Sequence, residues 1–274
     1  MPAAMQPCTL PHVLLLLLLA SVSPCCAQPN YVTTLAGSNS FTVGSTDGVG
    51  TAAKFYNPYG ISLGPDGVAY VADAGNHLIR AVSAVGNVTT VAGRAVNGSA
   101  DGVGSNAQFN GPSGIAVDAA GYIYVADTGN HAIRTIAPDY TVTTLAGGSS
   151  GFVDGQGSNA KFNGPKGIAV DALGIIYVAD TGNHAIRVVY VNGTVTTLAG
   201  NGTASLVNQV GTSATFSGPT GVAVDAQSNV LVADAANNVI RLISPNGSVI
   251  TIAGSGALGS LNGACCVAPL GLRR

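Results

Sequence analysis

The sequence predicts an all-β fold made of stacked, four-stranded antiparallel sheets, and two observations support this prediction. The first is a repeat: Tyr-Val-Ala-Asp or a close variant, a short polar turn and Ile-Arg occur four times, with spacings of 54, 53 and 54 residues between the aspartates. A fixed period of this size is typical of architectures in which each unit buries its apolar faces against its neighbours. The second is composition. All twelve acidic residues are Asp, and Gly, Val, Ala and Thr abound, so we expect helices to be nearly absent.

The third copy shows the elements of one unit most clearly. Apolar runs at 167–171, 175–179, 185–189 and 194–198 are separated by turn residues, which predicts four antiparallel strands joined by hairpins. Apolar residues occupy consecutive positions in the first two runs. Both faces of each small sheet must therefore be covered, and this happens when sheets stack face to face around an axis.

Three connections carry an Asp-Gly pair, and four carry an aromatic residue further along. We interpret the Asp-Gly pairs at Asp47, Asp101 and Asp154 as turn chemistry and the phenylalanines as plugs between successive sheets. Calcium binding is the alternative, but one carboxylate per copy is few for an ion that prefers several oxygen ligands. The phenylalanines are Phe55, Phe109, Phe162 and Phe216.

An Asp and an Arg flank the same hairpin in every copy. We predict that they pair within or between units and fix the turn more than they add stability. A catalytic carboxylate should break the repeat pattern, whereas these residues recur in every unit, so we assign them to the scaffold. The pairs are Asp73 with Arg80, Asp127 with Arg134, Asp180 with Arg187, and Asp234 with Arg241.

The histidines His77, His131 and His184 recur at one position, in the turn between the second and third strands. Two imidazoles that share a zinc ion must approach within about 3.5 Å, because each Zn–N bond is about 2 Å long. Symmetry-equivalent atoms on neighbouring units approach this closely only near the central axis. We therefore expect these side chains to form hydrogen bonds that stabilise the turn, and we predict no metal or cofactor site.

The strings Asp127-Thr-Gly-Asn-His-Ala-Ile-Arg134 and Asp180-Thr-Gly-Asn-His-Ala-Ile-Arg187 resemble the Asn-His-Leu (NHL) repeat, which Asn76-His77-Leu78 matches literally. The resemblance covers roughly residues 31–254 and implies a β-propeller of four-stranded blades, usually six. The fourth copy departs from the motif, with Asn237-Asn238 in place of Asn-His. The family includes RNA binders, ligase adaptors, extracellular sensors and lyases, so the resemblance leaves the function open.

The chain divides into three predicted parts. These are a signal peptide over 1–27, an NHL-type propeller over 28–264 and an irregular tail over 265–274 that contains Cys265 and Cys266. The repeats run at about 58–111, 112–164, 165–218 and 219–268. Partial blades are expected at both ends, with a lone fourth strand at 31–36 and a strand-one opening at Pro269-Leu-Gly-Leu272. We expect a truncated version of a longer propeller, and the alternatives are a compact, irregularly closed ring and pairing between chains. Open ends would favour self-association.

A short leucine-rich segment at 13–20, followed by small residues, is typical of a secretory signal and is too short to span a bilayer. The repeats contain no cysteine, so a disulfide framework is excluded from them. Five Asn-x-Ser/Thr sequons fit a secreted glycoprotein, although Asn-Gly is also typical of tight hairpins. The sequons are Asn87, Asn97, Asn192, Asn201 and Asn246.

The net charge is −2 and only 8% of the residues are charged, which argues against nucleic acid as a partner. The leading hypothesis is a secreted or cell-surface propeller that is not an enzyme and presents its loops to a protein or carbohydrate. The first alternative is an extracellular metal-dependent lyase or hydrolase resembling peptide-amidating lyases. The second is a truncated propeller without activity. Non-periodic polar candidates for an active site are few: Tyr56, Tyr59, Tyr140 and Asp139.

Overall fold

The computed structural model describes residues 32–38 and 43–259, and these contain β-strands and three-residue 3₁₀ turns. The signal-peptide prediction, the two tail cysteines and the strand expected at 269–272 lie outside the described residues. None of the helices in the described part of the chain is long and apolar enough to cross a membrane.

Four antiparallel sheets follow one another along the chain, and we call them blades 1 to 4. Blade 1 has the strands β1 (Gly48–Val49), β2 (Pro58–Leu63), β3 (Ala69–Asp73), β4 (Leu78–Val82) and β5 (Asn87–Gly93). Blade 2 has β6 (Gly102–Val103), β7 (Pro112–Val117), β8 (Ile123–Asp127), β9 (Ala132–Ile136) and β10 (Thr141–Gly147).

Blade 3 has β11 (Gly155–Gln156), β12 (Pro165–Val170), β13 (Ile176–Asp180), β14 (Ala185–Val189) and β15 (Thr194–Ala199). Blade 4 has β16 (Pro219–Val224), β17 (Val230–Asp234), β18 (Val239–Ile243) and β19 (Val249–Ala253). The 3₁₀ turns are Gly50–Ala52, Ala74–Asn76, Gly104–Asn106, Thr128–Asn130, Gly157–Asn159, Thr181–Asn183, Gly211–Ser213 and Ala235–Asn237.

Each blade is a meander of four strands, and the connection that precedes it adds a short fifth strand in blades 1 to 3. The order in blade 1 is β1-β5-β4-β3-β2, so the connection strand pairs with the last strand of the meander. The four blades form a β-propeller arrangement, in which β2, β7, β12 and β16 are successive neighbours on the inner side. The predicted class of fold is therefore confirmed.

Glycine allows the inner strands to approach each other closely. A β-carbon placed on Gly60 would overlap the carbonyl oxygen of Ser113 in blade 2, and one on Gly114 would overlap that of Lys166 in blade 3. Gly167 repeats the arrangement, because a β-carbon placed on it would lie 2.5 Å from the carbonyl oxygen of Thr220 in blade 4. A side chain at these positions would push neighbouring blades apart, which explains why the Pro-x-Gly opening recurs.

The core lies between the blades. One apolar cluster joins blades 1 and 2, a second joins blades 2 and 3, and a third joins blades 3 and 4. Phe109, Phe162 and Phe216 are each fully buried in one of these clusters. The prediction of an aromatic plug between successive sheets therefore matches where these three rings lie.

The N-terminal segment differs from the prediction. Residues 32–34 have no regular structure and 35–37 form a bend, so the strand expected over 31–36 is not formed in its described part. A strand needs a neighbouring strand for its backbone hydrogen bonds. None of the strand pairings among the described residues includes this segment.

We predict that Phe162→Ala lowers the free energy of unfolding by about 3–5 kcal/mol, because it empties a fully buried slot between two blades. Urea unfolding followed by circular dichroism measures the loss. Phe55→Ala is the matched control, since the equivalent ring in blade 1 is only partly buried and should cost less. A loss below about 1 kcal/mol for Phe162→Ala, or equal losses for the two variants, would contradict the role of the plug.

Candidate functional site

A buried Asp–Arg pair lies inside every blade, across the hairpin of its second and third meander strands. In blade 3, Asp180 ends β13 and Arg187 lies within β14, and the antiparallel register brings Arg187 Nη1 to 2.8 Å from Asp180 Oδ2. Both side chains are fully buried. The same pair occurs at 2.8 Å in blades 1 and 2 and at 2.9 Å in blade 4. Each of these ion pairs therefore lies within one blade.

The guanidinium group also holds the connection that leads into its own blade. Arg187 donates to the carbonyl oxygens of Lys161 and Val153 and, at 2.6 Å, to Asp154 Oδ1. Asp154 in turn accepts hydrogen bonds from Thr197, from both its backbone N–H and its hydroxyl. The Asp-Gly pair, which the sequence suggested was only a turn element, thus supplies a ligand for the buried arginine.

The sequence analysis did not predict the part that two further groups of residues play in this network. Asn208 takes the place of the Asp-Gly carboxylate in blade 4, where its side-chain oxygen accepts from Arg241 at 2.8 Å. The other set is an asparagine three residues after each buried Asp. In blade 3, Asn183 donates both to Asp180 and to the carbonyl oxygen of Gly151. The signal was present, because Asn76, Asn130, Asn183 and Asn237 recur at one offset.

A phenylalanine ring covers one flat face of each buried guanidinium. Arg187 lies 5.1 Å from the centroid of Phe162 and also 5.1 Å from that of Phe152, so two rings flank it. The other distances are 5.0 Å to Phe55, 5.2 Å to Phe109 and 4.9 Å to Phe216. This is the geometry of a cation–π contact. The Nε atoms of the four arginines have no hydrogen-bond partner among the described residues.

The buried aspartates are surrounded by donors. Burial raises the pKa of Asp180, while the backbone N–H of Asn163, the Asn183 amide and Arg187 act in the opposite direction. Burial likewise raises the pKa of Asp127 in blade 2, and the backbone N–H of Asn110, the Asn130 amide and Arg134 act in the opposite direction. With no exposed surface and three donors in place, each carboxylate is a structural ligand and is closed to a substrate.

The histidines join successive blades. His131 adopts the left-handed conformation at φ 53°, and its Nδ1 accepts the backbone N–H of Gly164, which opens blade 3. His77 binds Gly111 in the same way, and His184 binds Gly218. The expected hydrogen bond thus reaches the next blade and does not close its own turn. Among residues 32–38 and 43–259, no three His, Cys, Asp or Glu side chains form a cluster that could hold a metal ion.

Two hairpin turns lie side by side at one end of each blade, and we call this surface the turn end. It consists of the turns between the first and second meander strands and those between the third and fourth. A β-carbon on Gly174 would lie 3.6 Å from Val191 of the neighbouring turn. The turn-end residues are 64–68, 83–87, 118–122, 137–141, 171–175, 190–194, 225–229 and 244–248.

Tyrosine and aspartate side chains line the turn end between blades 1, 2 and 3. The Tyr124 hydroxyl donates to Asp118 at 3.0 Å, and Tyr70 donates to Asp66 at 3.2 Å. Burial raises the pKa of Tyr124, and the Asp118 charge adds to the effect. Burial likewise raises the pKa of Tyr177, to about 12. These hydroxyls therefore stay protonated and act as hydrogen-bond donors.

The other residues singled out from the sequence lie apart. Tyr140 and Asp139 are exposed at the turn end of blade 2, whereas Tyr56 and Tyr59 are exposed at blade 1, before and within β2. The structure does not bring these four side chains into one site. The five sequon asparagines, Asn87, Asn97, Asn192, Asn201 and Asn246, are all exposed.

Stacked four-stranded blades, held by one buried ion pair each, define a β-propeller repeat protein. Residues 109–136 and 162–189 match the family model described as NHL repeat. These two segments therefore match the NHL repeat, as the sequence motifs indicated.

Known proteins with related sequence are much longer than the matched region. The chain is 38% identical over 151 residues to Protein SUPPRESSOR OF QUENCHING 1, chloroplastic, of Arabidopsis thaliana, covering 51% of this chain and 14% of that protein. It is 36% identical over 152 residues to NHL repeat-containing protein 2 of Bos taurus, covering 50% and 21%. The matches thus span about a fifth or less of these relatives.

Solved structures support the fold. The structure titled "Crystal structure of Nidogen/Laminin Complex" aligns with a TM-score of 0.54 at 20% identity, covering 72% of this chain and 65% of that one. At this identity the likeness concerns the fold alone.

We predict that Asp180→Ala destabilises the protein by about 3–5 kcal/mol, because it leaves Arg187 buried without its fully buried partner. Asp154→Ala removes the half-exposed partner of the same arginine and should cost about 1 kcal/mol or less. Urea unfolding of both variants measures the difference. Equal losses of unfolding free energy in the two variants would contradict the prediction that the buried carboxylate contributes more than the half-exposed one.

Proposed function

We propose that this chain is a secreted or cell-surface propeller that binds a protein or carbohydrate and catalyses no reaction on it. The observation that carries the proposal is that the buried charged groups of the described residues all belong to the four Asp–Arg pairs. These pairs recur in every blade, and their members are hydrogen-bonded to each other, to backbone groups and to repeated side chains. Chemistry at one point of the ring would instead need a charged residue that breaks the repeat.

The repeats differ from one another at the turn end. The turn between the third and fourth meander strands reads Ser-Ala-Val-Gly in blade 1 and Ala-Pro-Asp-Tyr in blade 2. In blades 3 and 4 it reads Tyr-Val-Asn-Gly and Ser-Pro-Asn-Gly. The blades share a scaffold and differ in what they present here, which is how binding loops on a rigid support are arranged.

The turn end of blade 2 offers the most suitable contact surface. Tyr122 and Tyr140 are 41% and 46% exposed there. Tyr140 lines a groove of about 220 Å³ between blades 1 and 2, and Tyr122 lines one of about 400 Å³ between blades 2 and 3. Tyrosine combines a flat apolar ring with a polar tip, and it is enriched at recognition surfaces.

The sequons support the choice of blade 2. Asn87, Asn192 and Asn246 lie in the turn ends of blades 1, 3 and 4, and Asn97 and Asn201 lie in connections between blades. The turn end of blade 2 carries none. Glycans at the other positions would cover three turn ends and leave this one open to a partner.

The double variant Tyr122→Ala/Tyr140→Ala tests this surface. We expect it to lose binding at least about tenfold on an array of defined glycans and purified extracellular proteins, because both anchors are removed. Tyr190→Ala is the control, with an equally exposed tyrosine beside Asn192 in blade 3. Equal binding by wild type and both variants would place the interaction elsewhere.

Metal analysis of the purified chain separates this proposal from the lyase alternative. We expect less than about 0.1 zinc or calcium ion per chain, since the described residues contain no cluster of three ligands of the usual types. Stoichiometric metal that survives dialysis would contradict the proposal and favour a metal-dependent reaction.

Expression in a secretory host tests the compartment. We expect the chain in the medium, with a mass that falls on treatment with an N-glycosidase, because all five sequons are exposed. Substitution of each Asn by Gln identifies the sites that carry glycan. Retention inside the cell without glycan would contradict secretion.

A further inference from the structure

Every internal contact between blades uses the same two faces. The outgoing face of a blade, which meets the next blade, is formed in blade 2 by Ala126, Ile133 and Ala146. The incoming face, which meets the preceding blade, is formed there by Ile115 and Val125, among others. Because the repeats are alike, the same outgoing face meets the same incoming face three times along the chain.

The incoming face of blade 1 is covered only in part. Ile61 is 68% exposed, whereas its equivalents Ile115 and Ile168 are 5% and 7% exposed. Leu63 is equally exposed. Together with Phe55, Val71 and other residues, this face lines an apolar groove of about 400 Å³ that has no charged side chain in its wall.

Among the described residues, the outgoing face of blade 4 is also partly exposed. Ile240 is 38% exposed, although its equivalents in the other three blades, Ile79, Ile133 and Ile186, are fully buried. Ala253 is exposed as well. A β-carbon on Gly221 would meet only Ala233 of the same blade, at 3.5 Å, whereas the equivalent glycines lie against the backbone of the next blade.

We propose that these two faces bind each other between molecules, so that blade 4 of one copy packs on blade 1 of a second copy. The chain thus carries both halves of an interface that it already forms three times internally. In this arrangement the carbonyl oxygen of Tyr59 in one copy approaches Gly221 of the other. Within one chain, the carbonyl oxygen of Thr220 approaches Gly167 in the same way. The contact is head-to-tail, so two copies form a closed ring where the rotation permits and longer chains form where it does not.

The N-terminal segment makes some of the contacts on blade 1 that such a partner would make. Leu35 O lies 2.5 Å from the β-carbon position of Gly86, as Leu145 O of the preceding blade lies 2.8 Å from that of Gly193. Gly37 donates to Gly50 O, as Gly200 donates to Gly211 O. The segment Leu35-Ala-Gly37 therefore lies where a second copy would place Ile252-Ala-Gly254, and association must displace it.

The substitution Gly221→Ala tests the interface with little change to the monomer. Its methyl group has space in the isolated blade but would overlap the approaching Tyr59 carbonyl oxygen. We expect the dissociation constant, measured by sedimentation velocity, to rise at least about 100-fold while the unfolding midpoint in urea is unchanged. Leu173→Asp, on the exposed turn end of blade 3, is the control and should associate as wild type does.

A pair of charged substitutions tests the head-to-tail direction. Ile61→Asp blocks the incoming face and Ile240→Asp blocks the outgoing face, so each variant alone should be monomeric. Mixed in equal amounts, they retain one intact interface and should form a dimer and nothing larger. A wild type that stays monomeric at about 100 μM, well above the dissociation constants of specific interfaces, would overturn the proposal. A mixture that stays monomeric would also overturn it.

Both experiments are independent of the proposed function. The turn end of blade 2 and the two end faces share no residue, so loss of self-association leaves ligand binding by blade 2 untouched. Failure of the glycan and protein array likewise says nothing about the end faces.

Discussion

The structure depends on one buried arginine in each blade. In blades 1 to 3 the connection that precedes a blade pairs a short strand with the last strand of that blade, and the arginine adds a second link. In blade 3, the guanidinium of Arg187 joins Asp180 of its own hairpin to the carbonyl oxygens of Val153 and Lys161 in the connection. The connection then places Phe162 between two blades, so the ion pair sets the position of the apolar plug.

This dependence explains how the conspicuous polar residues of the sequence serve the scaffold. Buried charges are costly unless they are paired and hydrogen-bonded. Here each buried charge has a partner of opposite charge in the same repeat. The histidines are likewise occupied, since each Nδ1 accepts a backbone N–H of the next blade.

The sequence predicted the blades well because the signal is local and repeated. Ala185–Val189 was predicted to the residue, and the other strands of blade 3 differ by one or two residues at their ends. The arginine network was only half predicted. The pairing of Asp180 with Arg187 follows from one hairpin, but the contact with Asp154 joins residues 33 positions apart, and only the fold brings them together. The strand expected at 31–36 is not formed in its described part, and none of the described strands pairs with this segment.

Hydrogen exchange in an Arg187→Met variant tests the central claim most directly. The account predicts that amides of the connection, from Gly151 to Phe162, lose protection first, while the paired strands β13 and β14 keep theirs. Equal loss of protection in the connection and the strands would mean that the arginine merely stabilises the blade as a whole. Unchanged protection in the connection would contradict the claim that this side chain holds it in place.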